Sequence, residues 1–354
     1  MADGMNVPLP RPLVEGPSAW KGIDLCDDPS AWIHRLSGSE ISEIDAATDA
    51  ALATGKDMLE ITRDDFPLPT FAATLSGITD DLLNGRGFIL LRGFPTGKYS
   101  IDRNALTFWG IGRHIGNPVS QNTRGHMLGH VRDVGRIAAT DFKARASQSR
   151  ERQLFHTDGC DVVGLMCLAT ARSGGLSSLV SSMTVYNEMA KRRPDLAARL
   201  FQPVAFDRRG EIRDGEGEWY TMPIFNDHEG LLSVSFTGRN VGSSQRHADA
   251  PRNPQEAIDL FTSIAEEPDL RLDMALEVGD MQFVHNHTVL HDRTAYEDWP
   301  EPERKRHLLR LWIAADGARP LPASFLPRYG SLEIGNRGGI RNWDTVLKTP
   351  LVAD

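Results

Sequence analysis

His156 and Asp158 stand two residues apart, with only Thr157 between them. On a β-strand, alternate side chains share a face, so this imidazole and carboxylate would project together and could hold one metal ion. The pair alone is weak evidence, because polar residues at strand ends are commonly structural. Downstream, three of the 11 histidines fall within seven residues: His285, His287 and His291. On one continuous strand all three share a side, and any of them could supply a third ligand. Two histidines and one carboxylate, with coordination positions left open, suit non-haem Fe(II) chemistry with O2.

A third segment adds cations. In Arg306–Ile313 the period of two puts Arg306, Leu308, Arg310 and Trp312 on one face, and His307, Leu309, Leu311 and Ile313 on the other. The second face should pack on a helix layer. The first carries two arginines inward, and a buried unpaired charge is costly. Guanidinium binds carboxylates through two parallel hydrogen bonds, so a dicarboxylate ligand would satisfy them. Internal salt bridges to acids such as Asp298 or Glu303 are the structural alternative.

The elements that must position these residues are legible in outline. Helices are expected over Ser39–Thr54, stopping at Gly55, over Phe71–Leu83 and over Asp102–His114. Shorter helices suit Thr184–Ala190 and Pro194–Phe201. Another begins at Asn253-Pro254-Gln255-Glu256, with Asn253 as cap and proline in the first turn. Gly85–Phe94 is a short apolar run between glycines, as a buried strand requires. Pro223–Phe236 reads as strand, turn, strand; Gly279–Tyr296 and Arg306–Ile313 each read as a strand. Residues 116 to 153 form a long polar connection, and connections of that length are commonly functional. Within it Ser120–Gln153, and separately the charged hairpin Arg208–Tyr220, are candidate lids, and Asn122 and Arg124 are candidate substrate contacts.

The chain has 354 residues, a formal net charge of −9 and three cysteines. The acidic balance disfavours a nucleic-acid partner. The odd cysteine count, with no CxxC spacing, argues against a disulfide framework. No apolar run approaches a membrane span, and the first residues lack the apolar core of a signal peptide. The expectation is a cytoplasmic protein without membrane association; a homo-oligomer stays open. Its fold class is expected to be mainly β with flanking helices (α+β). The expected organisation is an extended N-terminal arm over 1–38, one catalytic domain over 39–330 and a C-terminal tail over 331–354.

The order His156-Thr157-Asp158, then Ser173-Gly174-Gly175-Leu176-Ser177-Ser178, then Leu290-His291-Asp292-Arg293-Thr294, then Arg304–Trp312 resembles the TauD/TfdA-like family of Fe(II)- and 2-oxoglutarate-dependent dioxygenases. The resemblance spans about Gly85 to Pro322. It implies a distorted double-stranded β-helix (jelly-roll) core. It also implies iron ligation by His156, Asp158 and His291. Arg306 would hold the far carboxylate of 2-oxoglutarate, with Ser177 donating to it, and Arg310 would face the cosubstrate's other carboxylate or an anionic group on the substrate. The implied reaction is hydroxylation of a small, anionic or amino-acid-like molecule by O2, with release of succinate and CO2. His285 departs from the family's usual residue there; it and His287 are candidate substrate contacts. A zinc hydrolase and a non-catalytic acid-binding module are the alternatives. The first has no use for Arg306, Arg310 and Ser177; the second does not need the two histidines and the aspartate together.

Overall fold

The computed structural model describes residues 11–135, 146–213, 215–340 and 344–353. Two sheets face each other. The larger runs in the order Ile33–Arg35, Phe88–Arg92, Met281–His285, Val162–Ala169, His307–Ala315, Gly116–Pro118, and Leu128–Val131 also pairs with His307–Ala315. Only its first pair is parallel. The smaller sheet is antiparallel, in the order Arg271–Met274, Ser177–Ser181, Val289–Arg293, Gln153–His156.

Period-two patterning decides which side chains fill which layer. Leu309, Leu311 and Ile313 point to the outer face of the large sheet, against Ile44, Leu75, Phe108 and Trp109 of the helices Gly38–Ala53, Phe71–Asn84 and Ile101–Arg113. Leu308 and Trp312 point inward with Phe88, Val163 and Val284, and meet Leu179, Leu272 and Val289 of the small sheet. The small sheet's other face presents Phe155, Val180 and Leu290 to helices Ser182–Arg192 and Gln255–Ala265. The expected alternation of the last long strand therefore holds from Leu308 onward; a register irregularity at His307 breaks it there.

The first long helix starts where a reciprocal cap permits: the Ser37 hydroxyl accepts from the Glu40 N–H, and the Ser37 N–H donates to the Glu40 carboxylate at 2.7 Å. The expected Asn253 cap is corrected. Asn253 instead accepts from the Ala205 N–H and donates to the carbonyls of Ala205 and Val241, tying the helix start to a neighbouring strand. Gly279–Tyr296 is not one strand. The chain turns over Asn286–Thr288 and passes from the large sheet to the small one.

Both flanks depart from simple extensions. Ahead of Gly38 lie the helix Gly22–Cys26 and the strand Ile33–Arg35, which pairs in the large sheet. Beyond residue 330, Gly338 has φ +77, and a Cβ there would lie 2.6 Å from the Gly159 carbonyl. Only glycine lets the tail approach that loop so closely. Residues 1–10 of the expected arm, and 136–145 and 214 of the expected lids, lie outside the described residues. Among the described residues no helix is long and apolar enough to cross a membrane.

Candidate active site

The turn from Gln153–His156 into Val162–Ala169 carries Asp158 across from the small sheet to the large one. His156 and His291 are direct cross-strand partners, and their ring centroids stand 4.1 Å apart. His156 Nε2 lies 3.8 Å from Asp158 Oδ1 and His291 Nε2 3.7 Å from Asp158 Oδ2. One ligand atom from each of the three lies within 4.8 Å of the others.

The surroundings prepare these groups to bind a cation. His156 Nδ1 is 2.8 Å from the Leu154 carbonyl, so it carries the proton and leaves the Nε2 lone pair facing Asp158. The Gln153 amide donates to that lone pair at 2.8 Å and would have to yield to an ion. Burial, with the neighbouring His291, pushes His156 down to about 3, so it is neutral at ordinary pH. Burial opposes ionisation of Asp158, but the Arg310 cation and the two histidines outweigh it and hold the carboxyl below its usual range. Asp158 is further fixed by the Trp312 indole N–H at 2.8 Å, and its own N–H donates to the Asn286 side chain at 2.9 Å. Arg310 Nη1 stands 3.9 Å from Asp158, and Arg310 Nε donates to Gln121 at 2.7 Å.

Arg306 is 5% exposed, and its guanidinium lies 5.2 Å from the Tyr296 ring centroid. No carboxylate forms a salt bridge with it among the described residues, and its Nη1 is buried without a partner. A buried guanidinium missing an acceptor fits an anion-binding role. Ser177 sits in the neighbouring sheet, with its hydroxyl donating to Gln282 at 2.9 Å. That single proton would have to leave Gln282 to serve a carboxylate.

The remaining candidates are placed elsewhere. His285 and His287 are fully buried. His285 Nδ1 lies 3.0 Å from the Thr288 hydroxyl, and His287 Nε2 lies 2.8 Å from Asp161. Neither lines the cavity at the site, so as substrate contacts they are corrected to core groups. The physical reason is the turn over Asn286–Thr288, which breaks the shared strand parity expected of them. Asn122 Oδ1 accepts from the N–H groups of Arg124 and His126, closing its own loop. It borders a smaller cavity behind Arg310.

In front of His156 and Asp158 opens a cavity of about 470 Å³, whose wall includes Arg310, Trp312, Tyr220 and Arg328. Residues that sequence reasoning did not assign a role are Asn286, Gln121 and the Asp161–Arg337 pair, which joins the tail to the metal-site turn at 2.8 Å. The inward parity of Trp312 was the one available signal for its contact with Asp158.

The sequence matches the family described as taurine catabolism dioxygenase TauD, TfdA family, over residues 50–312. It is 32% identical over 316 residues to FR-33289 synthase of Streptomyces rubellomurinus, covering 88% of this chain and 93% of that protein. A uridine-5'-phosphate dioxygenase of an Amycolatopsis species is 30% identical over 170 residues, 46% of this chain and 61% of that protein. Among solved structures, asparagine oxygenase with Fe(II), hydroxyasparagine and succinate superposes with a TM-score of 0.59 at 14% identity, over 79% of this chain and 93% of that one. The non-heme iron oxygenase OrfP with Fe and alpha-ketoglutaric acid gives a TM-score of 0.58 at 15% identity, over 79% and 93%. At such identities these two bear on the fold alone.

Proposed function

The chain belongs to the TauD/TfdA family of dioxygenases, and on that premise we propose that His156, Asp158 and His291 form its iron site and that Arg306 anchors its cosubstrate. It is an Fe(II)- and 2-oxoglutarate-dependent oxygenase acting with O2 on a small molecule. The observation that carries the residue assignment is the meeting of two imidazoles from paired strands with one carboxylate from the turn between the sheets, all largely buried beside a cavity. The family match displaces the hydrolase and binding-module alternatives.

Iron held at this site supplies O2 activation coupled to decarboxylation of 2-oxoglutarate, giving succinate, CO2 and a hydroxylated substrate. The protein's part is positioning. His156 presents Nε2 because Leu154 holds its Nδ1–H. Asp158 stays ionised because Arg310 and Trp312 stand against it. Arg306 receives the far carboxylate of 2-oxoglutarate, which gives its partnerless Nη1 an acceptor. Arg310, beside the metal carboxylate and in the cavity wall, faces the cosubstrate's near carboxylate. Ser177 supports the far carboxylate only by releasing Gln282. The facing sheets fit a distorted double-stranded β-helix, and residues 39–330 fit one catalytic domain with both flanks packed against it.

The reading is tested by succinate release from 2-oxoglutarate under air. The wild type with Fe(II) should produce succinate, faster with a true substrate, and Asp158→Ala and His291→Ala should each lower the rate by at least about 10²-fold. Equal rates in wild type and variants would contradict the ligand assignment.

A further inference from the structure

The turn that carries Asp158 is held from the far end of the chain. The family match stops at residue 312, and the residues that grip this turn lie beyond it, from the short helix Leu326–Tyr329 to Gly339. Arg328 Nη2 donates to the Thr157 carbonyl at 2.7 Å. The Tyr329 hydroxyl donates to the Cys160 carbonyl at 3.0 Å. The Gly339 N–H donates to the Gly159 carbonyl at 2.8 Å. Arg337 meets the Asp161 carboxylate at 2.8 Å, with both side chains fully buried. The segment is also tied to itself, since the Gly338 N–H donates to the Tyr329 carbonyl at 3.0 Å. Arg328 and Gly339 border the cavity in front of His156 and Asp158 as well.

Four of the five residues of Thr157–Asp161 are thus fixed by one C-terminal segment. The fifth, Asp158, turns its carboxylate toward His156, His291 and the Trp312 indole. Buried carbonyls need donors, and here the donors come from a distant part of the chain. If the segment undocks, those carbonyls lose their partners and the turn gains conformations. An ion binding to Asp158 must then order the turn, which costs affinity. With the segment docked, the carboxylate is already in place. Such coupling is reciprocal: whatever factor the segment adds to metal affinity, the metal adds to docking of the segment.

We propose that Arg328, Tyr329, Arg337 and Gly339 are positioning residues for the metal site, so that docking of the C-terminal segment and metal occupancy form one coupled equilibrium. None of the four is a ligand. They act through the backbone of the turn and through Asp161, and the group they place is the Asp158 carboxylate. The proposal rests on the oxygenase reading, since it assigns a control to the same His156, Asp158 and His291 site.

The test titrates the full-length metal-free protein anaerobically with Co(II), read by its visible absorption. Tyr329→Phe deletes one hydroxyl and keeps the ring against Phe325. Arg328→Met deletes the donor to Thr157. Co(II) affinity should fall by about threefold or more in the first and by about tenfold in the second. Arg328→Lys, which can still donate to the Thr157 carbonyl, should lie between Arg328→Met and wild type. Thermal unfolding identifies any variant that misfolds. A second readout needs no variant: saturating Co(II) should slow amide hydrogen exchange over residues 326–340 of the wild type by about tenfold, leave the helix Gly38–Ala53 as it was, and have no effect in His291→Ala. A segment that serves only the fold would alter unfolding temperature and leave both readouts unmoved. Unchanged Co(II) affinity in Arg328→Met and Tyr329→Phe, or exchange over 326–340 indifferent to Co(II), would overturn the coupling. The two readings fail separately. Co(II) binding that needs His291 but ignores the segment removes the coupling and leaves the metal site standing. Co(II) bound equally by wild type and His291→Ala removes the metal-site reading itself, and the coupling with it.

Discussion

The indole N–H of Trp312 donates to Oδ2 of Asp158 at 2.8 Å, joining the long strand of the large sheet to the turn that carries the carboxylate. Outer hydrogen bonds of this kind orient metal ligands, and losing one commonly costs 10 to 100-fold in metal affinity. Trp312→Phe keeps the aromatic packing and deletes the donor. It should weaken Co(II) or Fe(II) binding by about tenfold with only a small change in unfolding temperature. Anaerobic metal titration checks this, and unchanged affinity would remove Trp312 from the site.

Arg306 and Ser177 should separate in cosubstrate binding. Arg306→Ala deletes a buried cation with a partnerless Nη1 and should raise KM for 2-oxoglutarate by roughly 10²-fold. Ser177→Ala should raise it by less than about tenfold, because its hydroxyl already serves Gln282. Metal affinity should stay near wild type in both. Initial rates against 2-oxoglutarate concentration decide it.

Stability should fall in mild acid through His287. Burial pushes this imidazole down to about 4, against partial compensation by Asp161. Its folded pKa lies below its unfolded one, so its contribution is fully present above about pH 6.5 and is lost as pH falls toward 4. The drop from 6.5 to about 4 corresponds to roughly 3 kcal/mol. His287→Gln, which cannot titrate, should have a flatter stability profile between pH 6.5 and 4 in urea unfolding.

The tail should depend on glycine at 338. Gly338→Ala meets the Gly159 carbonyl and adopts an unfavourable φ, so it should cost on the order of 2 kcal/mol or more and loosen the metal-site turn. Gly55→Ala has a similar φ, +66, and open space around it, and should cost only about 1 kcal/mol. Chemical unfolding of the pair separates the clash from the backbone term.

Much of this architecture was legible because burial enforces periodicity. The alternation from Leu308 to Ile313 predicted both faces of a strand that does separate two cores. The Ser39–Thr54 and Phe71–Leu83 patterns fall within a residue or so of the observed helices. Their polar and apolar faces have only one stable orientation. The turn at Asn286–Thr288 was invisible because it contains no glycine or proline and its flanks keep a strand's composition. Asn253 looked like a helix cap, but tertiary partners at Ala205 and Val241 compete for the same amide. The Asp161–Arg337 pair joins segments far apart in sequence, and no local pattern announces such a meeting.

The most direct test of the central claim is anaerobic. Fe(II) and then 2-oxoglutarate are added to the metal-free protein, and the visible spectrum is recorded. A weak charge-transfer band should form only when both are present, and it should be lost in His291→Ala and in Arg306→Ala at the same cosubstrate concentration. The absence of a band in the wild type, or its persistence in His291→Ala, would contradict the assignment of iron to His156, Asp158 and His291.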